Sequence, residues 1–327
     1  MANPLAQAKS DGTRIAGNDA ASLWDIGEGI ACFEMHTKMN SFEPPVFDVI
    51  ESALQIVQDG FAGLVIGNEN PRAFSVGADL RTFLARVKTQ DWQGLNAYIA
   101  RGHDLFLGLK YAPFPVVAAV QGLALGGGCE FMLNTDAIVA HSGATIGLPE
   151  TKVGIVPGWG GVTQLMLRVR HNPDVAQNPL AQAQSVFDTV WSGAFITSEE
   201  DVRSRSFLVP SDRVTSSLES LIGEAHAYAI ELARNYSAPD PATLVLGGQS
   251  VHRSLVEGIG IAATDNDKAI ANVLAGVVSG GDAAGPITKT DRQSMQAERE
   301  GGVLLAKRLA TIERIEHMLA TGTPLRN

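Results

Sequence analysis

The sequence predicts an α/β fold built on a mostly parallel sheet. Three neighbouring features carry this prediction: a buried strand at residues 116–120, a glycine-rich turn that enters a helix at 122–133, and a second strand at 137–140. A strand, a helix and another strand in this order form the unit of a parallel sheet with right-handed crossovers. An apolar loop that ends in Gly-Leu-Pro-Glu follows, so residues 113–161 are the stretch around which the chain is organised.

Composition bounds the class of protein. With 327 residues, of which 45% are apolar, the chain can bury a sizeable core. The formal net charge of -10 argues against nucleic acid or an anionic membrane as a partner, because both require a basic surface. An anionic cofactor needs only a local basic patch and stays possible on this ground.

Location and redox state follow from the apolar runs and the cysteines. No apolar run near the start suits a signal peptide and none elsewhere could span a bilayer, so a cytoplasmic location is expected. Cys32 and Cys129 lie in separate apolar contexts, which indicates two buried thiols in a reducing compartment and no disulfide.

The elements before the central stretch follow from turn chemistry and apolar spacing. Residues 1–22 have few large apolar side chains and are predicted to be a flexible lead-in. Residues 23–35 predict two strands around a Gly-Glu-Gly turn, and Pro44 and Pro45 open a helix with one apolar face. A short buried strand at 63–67 and a long helix at 91–109 lead to the central strand.

After residue 161 the pattern is helical. Helices are predicted at 162–170, around 181–190, from the capping signal at 197–200, at 218–232, near 269–278 and at 292–319. Prolines and glycines between 239 and 248 mark a boundary between a core of residues 23–237 and a helical carboxy-terminal region of residues 238–327. Apolar faces on the later helices predict an oligomer, because a core of this size leaves part of them uncovered.

Glu130 introduces a carboxylate into an otherwise apolar segment, where an unpaired charge would be costly. The glycines at 126–128 leave backbone N–H groups open at a helix start, which forms a cradle for an anion or an oxyanion. The turn lacks the Lys-Ser/Thr of a phosphate loop and does not fit the dinucleotide fingerprint. An oxyanion hole is therefore the preferred interpretation, and no bound NAD is expected.

Other candidate sites carry plainer interpretations. The seven histidines show no metal-ligand spacing, so no metal is predicted. Taken alone, Asp79 fits a capping residue at an ordinary helix start, and Glu150 fits a surface partner of Lys152. Asp136 and His141 lack a nucleophile elbow nearby and are expected to be structural.

Three motifs, in this order, resemble the signatures of the crotonase, or enoyl-CoA hydratase/isomerase, superfamily. They are Phe-Ser-Val-Gly-Ala-Asp-Leu at 74–80, Val-Ala-Ala-Val-Gln-Gly-Leu-Ala-Leu-Gly-Gly-Gly-Cys-Glu at 117–130, and Gly-Leu-Pro-Glu-Thr-Lys-Val-Gly-Ile-Val-Pro-Gly at 147–158. Residues 23–40 and 313–327 also resemble the hydratase portion of bacterial fused 3-hydroxyacyl-CoA dehydrogenase/enoyl-CoA hydratase proteins. The resemblance covers nearly the whole chain after residue 22. It implies a crotonase-type spiral of strand-strand-helix units, with carboxy-terminal helices for oligomer contacts and active-site cover.

The resemblance also implies an activity, the addition of water to trans-2-enoyl-CoA to give 3-hydroxyacyl-CoA in fatty-acid β-oxidation. Glu130 would activate water, Glu150 would protonate Cα, and the backbones of Ala78 and Gly127 would form the oxyanion hole. Further residues are implied for binding coenzyme A and the acyl group: Met39, Asn40, Ser75, Val76, Asp79, Leu80, Pro149, Gly158 and Trp159. No cofactor is expected to be bound permanently, since coenzyme A arrives as part of the thioester substrate.

Several alternatives stay open within this resemblance. An enoyl-CoA isomerase, an acyl-CoA hydrolase or a catalytically silent acyl-CoA-binding subunit would share the fold, although two glutamates favour hydration. Trp159 stands where the family has a small residue and Val162 where threonine is common, so the acyl chain length is left open. The expected partners are the acyl-CoA substrate, further copies of the chain in a trimer or dimer of trimers, and a 3-hydroxyacyl-CoA dehydrogenase.

Overall fold

A computed structural model describes residues 3–175, 178–260 and 263–327 of the chain. In these ranges the strands are β1 Arg14–Gly17, β2 Ala21–Asp25, β3 Ile30–Met35, β4 Gly63–Ile66, β5 Ala73–Ser75, β6 Val116–Val120, β7 Leu123–Leu125, β8 Ala137–His141, β9 Thr145–Gly147, β10 Arg213–Thr215, β11 Thr243–Leu246 and β12 Ile287–Thr290. The α-helices are α1 Pro4–Asp11, α2 Pro44–Gly60, α3 Leu80–Lys88, α4 Trp92–Lys110, α5 Gly127–Leu133, α6 Gly161–Arg168, α7 Pro179–Ser192, α8 Glu199–Ser204, α9 Leu221–Ala233, α10 Gln249–Glu257, α11 Asp265–Ser279, α12 Asp291–Ala306 and α13 Leu309–Thr321. Short 3₁₀ turns lie at Lys38–Asn40, Glu150–Val153 and Val169–His171. None of the helices in the described ranges has the length and apolarity that crossing a bilayer requires.

Two sheets form the core of the fold. The larger has the strand order β1-β2-β3-β4-β6-β8-β10 and is parallel from β3 onwards, while the smaller has the order β5-β7-β9 and is parallel throughout. The pairs β4/β5, β6/β7 and β8/β9 each place their first strand in the larger sheet and their second in the smaller one, and helices follow each pair. This repeat is the spiral of strand-strand-helix units, so the predicted α/β fold is confirmed.

Burial explains why these segments adopt these elements. All five residues of β6 are buried, as expected for a central parallel strand covered on both faces. In α2 the prolines occupy the first turn, and the buried Val46, Val49, Ile50 and Val57 recur at helical spacing. Both cysteines are free and buried, as the sequence predicts.

The prediction of a flexible lead-in is wrong for residues 3–22, and residues 1 and 2 lie outside the described residues. Asn3 caps α1 by accepting hydrogen bonds from the N–H groups of Leu5 and Ala6, and Gly12 ends the helix at a φ of 72°. Leu5 and Ala8 are buried in an apolar cluster that includes residues of α9. Two apolar side chains are enough to order this segment, because α9, which is distant in the sequence, provides the apolar surface on which they pack.

The carboxy-terminal region differs from its prediction in two places. The helix expected at 292–319 is interrupted, because Arg308 is extended between α12 and α13 and its Nε donates to Oδ1 of Asn266. In addition, β11 and β12 pair antiparallel in a region predicted to be purely helical. The boundary drawn at residue 238 stays a prediction.

Candidate active site

The three motifs line one cleft of about 640 Å³. Its walls come from the turn before α3, the start of α5 and the segment that joins β9 to α6. Gly302, Met318, Gly322 and Pro324 of the carboxy-terminal region also line it. Most of the predicted site residues lie in these walls: Met39, Val76, Ala78, Asp79, Leu80, Gly127, Glu130, Pro149, Glu150, Gly158 and Trp159.

Asn40 and Ser75 do not line the cleft but join two of the loops that form it. The Asn40 side chain donates from Nδ2 to the Ala73 carbonyl at 2.9 Å. Ser75 Oγ donates to the Asn40 carbonyl at 2.6 Å and accepts from the Gly77 N–H at 3.2 Å. Both side chains are buried, so they fix the loop backbones behind the cleft wall.

The turns that carry Ala78 and Gly127 lie against each other. This close approach is possible because residue 77 is a glycine and has no Cβ. Gly77 has a φ of +87°, and a Cβ there would lie 2.5 Å from the Gly127 nitrogen. Phe42 pairs with the Gly77 carbonyl and the Asp79 N–H, on either side of Ala78. Within the described residues, neither the Ala78 N–H nor the Gly127 N–H donates to a protein acceptor. Two backbone donors therefore remain available at the cleft, as an oxyanion hole requires.

Asp79 also has the role that its position alone predicts. Its carboxylate caps α3 by accepting from the N–H groups of Arg81 and Thr82 and from the Thr82 hydroxyl. These hydrogen bonds lower the pKa of Asp79 although burial opposes them. The side chain therefore caps a helix and at the same time fixes the wall beside Ala78.

Glu130 is buried at the start of α5 and is held by backbone from a distant loop. Its Oε1 accepts from the Trp159 N–H at 2.7 Å and from the Gly161 N–H at 2.9 Å. Burial raises the pKa of Glu130 to about 7, with the hydrogen bonds from Gly161 and Trp159 opposing the rise. Because both hydrogen bonds end on Oε1, the second oxygen keeps its capacity to exchange a proton.

Glu150 contributes the second carboxyl group of the cleft. Its Oε2 is shielded from solvent and has no hydrogen-bond partner among the described residues. Burial and then the charge of Glu130 raise the pKa of Glu150 well above its usual range. Both carboxyl groups of the cleft therefore hold a proton more strongly than an exposed glutamate does.

The plainer interpretation of Glu150, a surface partner of Lys152, is not seen in the structure. Across the described ranges, the ion pairs include none between Glu150 and Lys152. The Lys152 ammonium instead lies 4.7 Å from the centre of the Phe195 ring.

A third buried carboxyl group, that of Glu298 on α12, was missed by the sequence analysis. It is 0% exposed and accepts from the Gly160 N–H at 3.1 Å and the Thr163 N–H at 2.7 Å. Burial and the charge of Glu130 raise its pKa to about 8. The available signal was its position on the buried stripe of α12, between Met295 and Gly302.

Trp159 fills the floor of the cleft beneath the Gly127 turn. Its indole is 3% exposed and packs edge-on against the rings of Phe42, Phe47, Tyr98 and Phe106, with centroids 5.4, 5.5, 5.5 and 5.6 Å away. A Cβ on Gly127 would lie 2.5 Å from Cζ3 of this indole, so glycine is needed at the donor position.

The described residues contain no group of three or more His, Cys, Asp or Glu side chains arranged to hold a metal ion. The chemistry that these residues support is acid–base chemistry by buried carboxyl groups beside backbone donors.

Comparison with known proteins places this geometry in a family. A family model described as enoyl-CoA hydratase/isomerase matches residues 25–180. A probable 3-hydroxyacyl-CoA dehydrogenase of Bacillus subtilis (strain 168) is 30% identical over 320 residues, covering 96% of this chain and 40% of that protein. A putative fatty acid oxidation complex trifunctional enzyme of Rickettsia prowazekii (strain Madrid E) is 34% identical over 158 residues, covering 48% of this chain and 22% of that protein. The chain therefore spans less than half the length of either relative.

Solved structures agree on the fold. The crystal structure of an enoyl-CoA hydratase from Bacillus halodurans superposes with a TM-score of 0.64 at 17% identity, covering 90% of this chain and 98% of that chain. At this identity the likeness concerns the fold alone. The three motifs, the spiral fold and the family match agree, so residues 25–180 belong to the crotonase, or enoyl-CoA hydratase/isomerase, superfamily.

Proposed function

We propose that this chain is an enoyl-CoA hydratase that adds water to trans-2-enoyl-CoA and forms 3-hydroxyacyl-CoA in fatty-acid β-oxidation. One observation carries the proposal: two carboxyl groups whose pKa values are raised by burial line the same cleft as two backbone donors that have no protein acceptor among the described residues. Hydration needs one group that accepts a proton from water and another that supplies a proton to carbon. In the proposed reaction Glu130 accepts the proton and Glu150 supplies one, and the raised pKa values of both groups support proton exchange in the cleft.

The proposed steps balance without a further reactant. The water oxygen bonds to Cβ while Glu130 accepts the proton that water loses. The proton held by Glu150 passes to Cα, and the double bond becomes a single bond. Negative charge that develops on the thioester oxygen is stabilised by the N–H groups of Ala78 and Gly127, a type of contact whose loss typically costs about a hundredfold or more in rate. A proton then returns from Glu130 to Glu150 before the next turnover.

Cationic side chains at the cleft support a coenzyme A thioester as the substrate. Lys38, Arg81 and Lys152 line the cleft, and none of them forms an ion pair with a carboxylate in the described ranges. Coenzyme A carries phosphate groups that such cations bind. These three cations form a local basic patch, so an anionic substrate can bind to a chain whose net charge is -10.

The packing of Trp159 favours short acyl groups. The indole occupies the space beneath Gly127 and is surrounded by four aromatic rings, so it has little freedom to move aside. We propose that the acyl chain runs past this ring and that longer chains are excluded by it.

Hydration of a series of trans-2-enoyl-CoA esters of increasing chain length tests the proposal. Loss of the conjugated-thioester absorbance should be fastest with the shortest esters, and a saturated acyl-CoA should bind without reacting. Migration of the double bond would favour an isomerase, release of free coenzyme A would favour a hydrolase, and binding without turnover would favour a silent acyl-CoA-binding subunit. Each of these three outcomes contradicts the hydratase proposal.

The wider setting of the enzyme is also a proposal. The names of the longer relatives support a role beside a 3-hydroxyacyl-CoA dehydrogenase, which would consume the 3-hydroxyacyl product. A homotrimer or dimer of trimers and a cytoplasmic location are proposed with it. Light scattering tests the assembly, and a monomer at working concentration would contradict it.

A further inference from the structure

We infer that Glu298 is a positioning residue of the active site: from α12 it holds the turn at residues 159–163 in the conformation that binds Glu130. The inference rests on the proposed hydratase function for its kinetic readout, but its structural basis is independent of the reaction.

The two carboxyl groups bind the same turn in alternation. Glu130 accepts from the N–H groups of residues 159 and 161, and Glu298 accepts from those of residues 160 and 163. The Thr163 hydroxyl also donates to Oε1 of Glu298. The three consecutive N–H groups of residues 159, 160 and 161 thus donate to two different carboxyl groups, so a rotation that frees one carboxyl group also disturbs the other.

The turn itself has backbone geometry that needs this support. Gly160 has a φ of +99°, and a Cβ there would lie 2.8 Å from Cε of Met295 on α12. The helix that provides Glu298 therefore closes over the turn at van der Waals distance. Without Glu298, the N–H groups of Gly160 and Thr163 would lose their acceptors in the protein interior, a costly change that a local rearrangement would relieve.

The burial of Glu298 is consistent with a role in positioning this turn. A carboxyl group that is 0% exposed pays a large desolvation cost, and replacing it with an apolar residue would normally be the cheaper solution. Glu298 lies 138 positions after Gly160 in the chain, so its hydrogen bonds also fasten the carboxy-terminal region onto the loop that binds Glu130.

Glu298 interacts electrostatically with the carboxyl groups of Glu130 and Glu150. The elements packed against α12 also carry ionisable side chains, namely Arg101, His103, Asp104 and Lys110 on α4, Arg168 on α6, Asp265, Asp267 and Lys268 on α11, Lys289 on β12, and Glu313, Arg314, Glu316 and His317 on α13. The charge of Glu130 is the largest electrostatic influence on Glu298. The pH dependence of the cluster is therefore governed first by the carboxyl groups themselves.

The test compares Glu298→Gln with Glu300→Gln in the full chain. The two substitutions are chemically identical and lie on the same helix, but Glu300 is exposed and bonds only to Gln296 in the described residues. In Glu298→Gln the amide places an NH₂ group against one of the two backbone donors, so the turn should shift. We expect kcat to fall at least tenfold with KM changed less than twofold. We also expect the acid limb of the kcat–pH profile to move to higher pH, because weakened N–H donation to Glu130 raises its pKa.

Separate outcomes identify which idea fails. A Glu298→Gln enzyme with wild-type kcat and pH profile overturns the inference, as does an equal loss in Glu300→Gln. If the wild type hydrates no enoyl-CoA, the proposed function fails, and the inference is tested instead by infrared titration of the buried carboxyl groups. In that measurement Glu298→Gln should shift the Glu130 band, and an unshifted band overturns the inference. If Glu298→Gln does not fold, Thr163→Val, which removes only the hydroxyl donor, should give a smaller change in the same direction, and no change overturns the inference.

Discussion

Replacing Glu130 or Glu150 with glutamine removes the ability to exchange a proton but keeps the shape and most of the hydrogen bonds of the side chain. The effect of lost proton transfer can therefore be measured in a folded protein. In Glu130→Gln the amide oxygen can still accept from Trp159 and Gly161, because both hydrogen bonds end on one oxygen, Oε1. Burial and the charge of Glu130 raise the pKa of Glu150 well above its usual range, so an uncharged amide in Glu150→Gln is compatible with its surroundings. Both variants should therefore fold and bind acyl-CoA, and the loss should fall on kcat.

The magnitude follows from what each group does. General acid–base groups contribute roughly a hundredfold to ten-thousandfold, so each single variant should lose turnover in that range. The double variant should lose far less than the product of the two, because both groups act on one water molecule and one set of protons. In the wild type, kcat/KM should fall below about pH 7 as Glu130, whose pKa is raised to about 7, becomes protonated.

Stopped-flow measurement of enoyl-CoA hydration over a range of pH provides the assay, and calorimetric titration with a saturated acyl-CoA provides the binding control. If Glu150→Gln keeps near wild-type hydration while Glu130→Gln does not, the two-carboxylate reasoning is refuted and a reaction that needs one carboxylate should be tested. Loss of acyl-CoA binding in both variants would show that the two side chains are needed to form the cleft and would contradict a role limited to proton transfer.

Three further predictions concern the architecture around the pair. Gly77→Ala should lower kcat with a smaller effect on acyl-CoA binding, since its Cβ would lie 2.5 Å from the Gly127 nitrogen, and steady-state kinetics checks this. Trp159→Ala should destabilise the fold by about 3–5 kcal/mol in denaturant titration and extend activity to longer esters, because a buried ring in an aromatic cluster is removed. The pKa of Glu298 is raised from 4.5 to about 8, so its contribution to stability is fully present below pH 4.5 and is lost as pH rises through 8. Thermal unfolding should show the wild type losing stability between about pH 4.5 and 8, and Glu298→Gln should show a flatter profile.

Local chemistry in the sequence determined much of this protein. The prolines at the start of α2, the capping residues Asp79 and Ser198, and the buried run of β6 each act through neighbours within a few positions. The same holds for the glycines before Glu130, because an open N–H cradle needs only small residues at a helix start. These features were therefore predictable, and they were sufficient to predict an α/β fold and to single out Glu130, while the spiral and the role of Glu150 followed from the family resemblance.

The tertiary structure decided the features that depend on distant partners. The lead-in is ordered because Leu5 lies in a cluster with α9, and the helix predicted at 292–319 is interrupted where Arg308 binds Asn266. Which of the cleft carboxyl groups holds the proton depends on the burial and mutual distance of Glu130 and Glu150. Glu298 stands in an amphipathic pattern that is also typical of a surface helix. Its role depends on backbone N–H groups 135 and 138 positions earlier in the chain, because the energy of a buried polar group is set by the partners that folding brings to it.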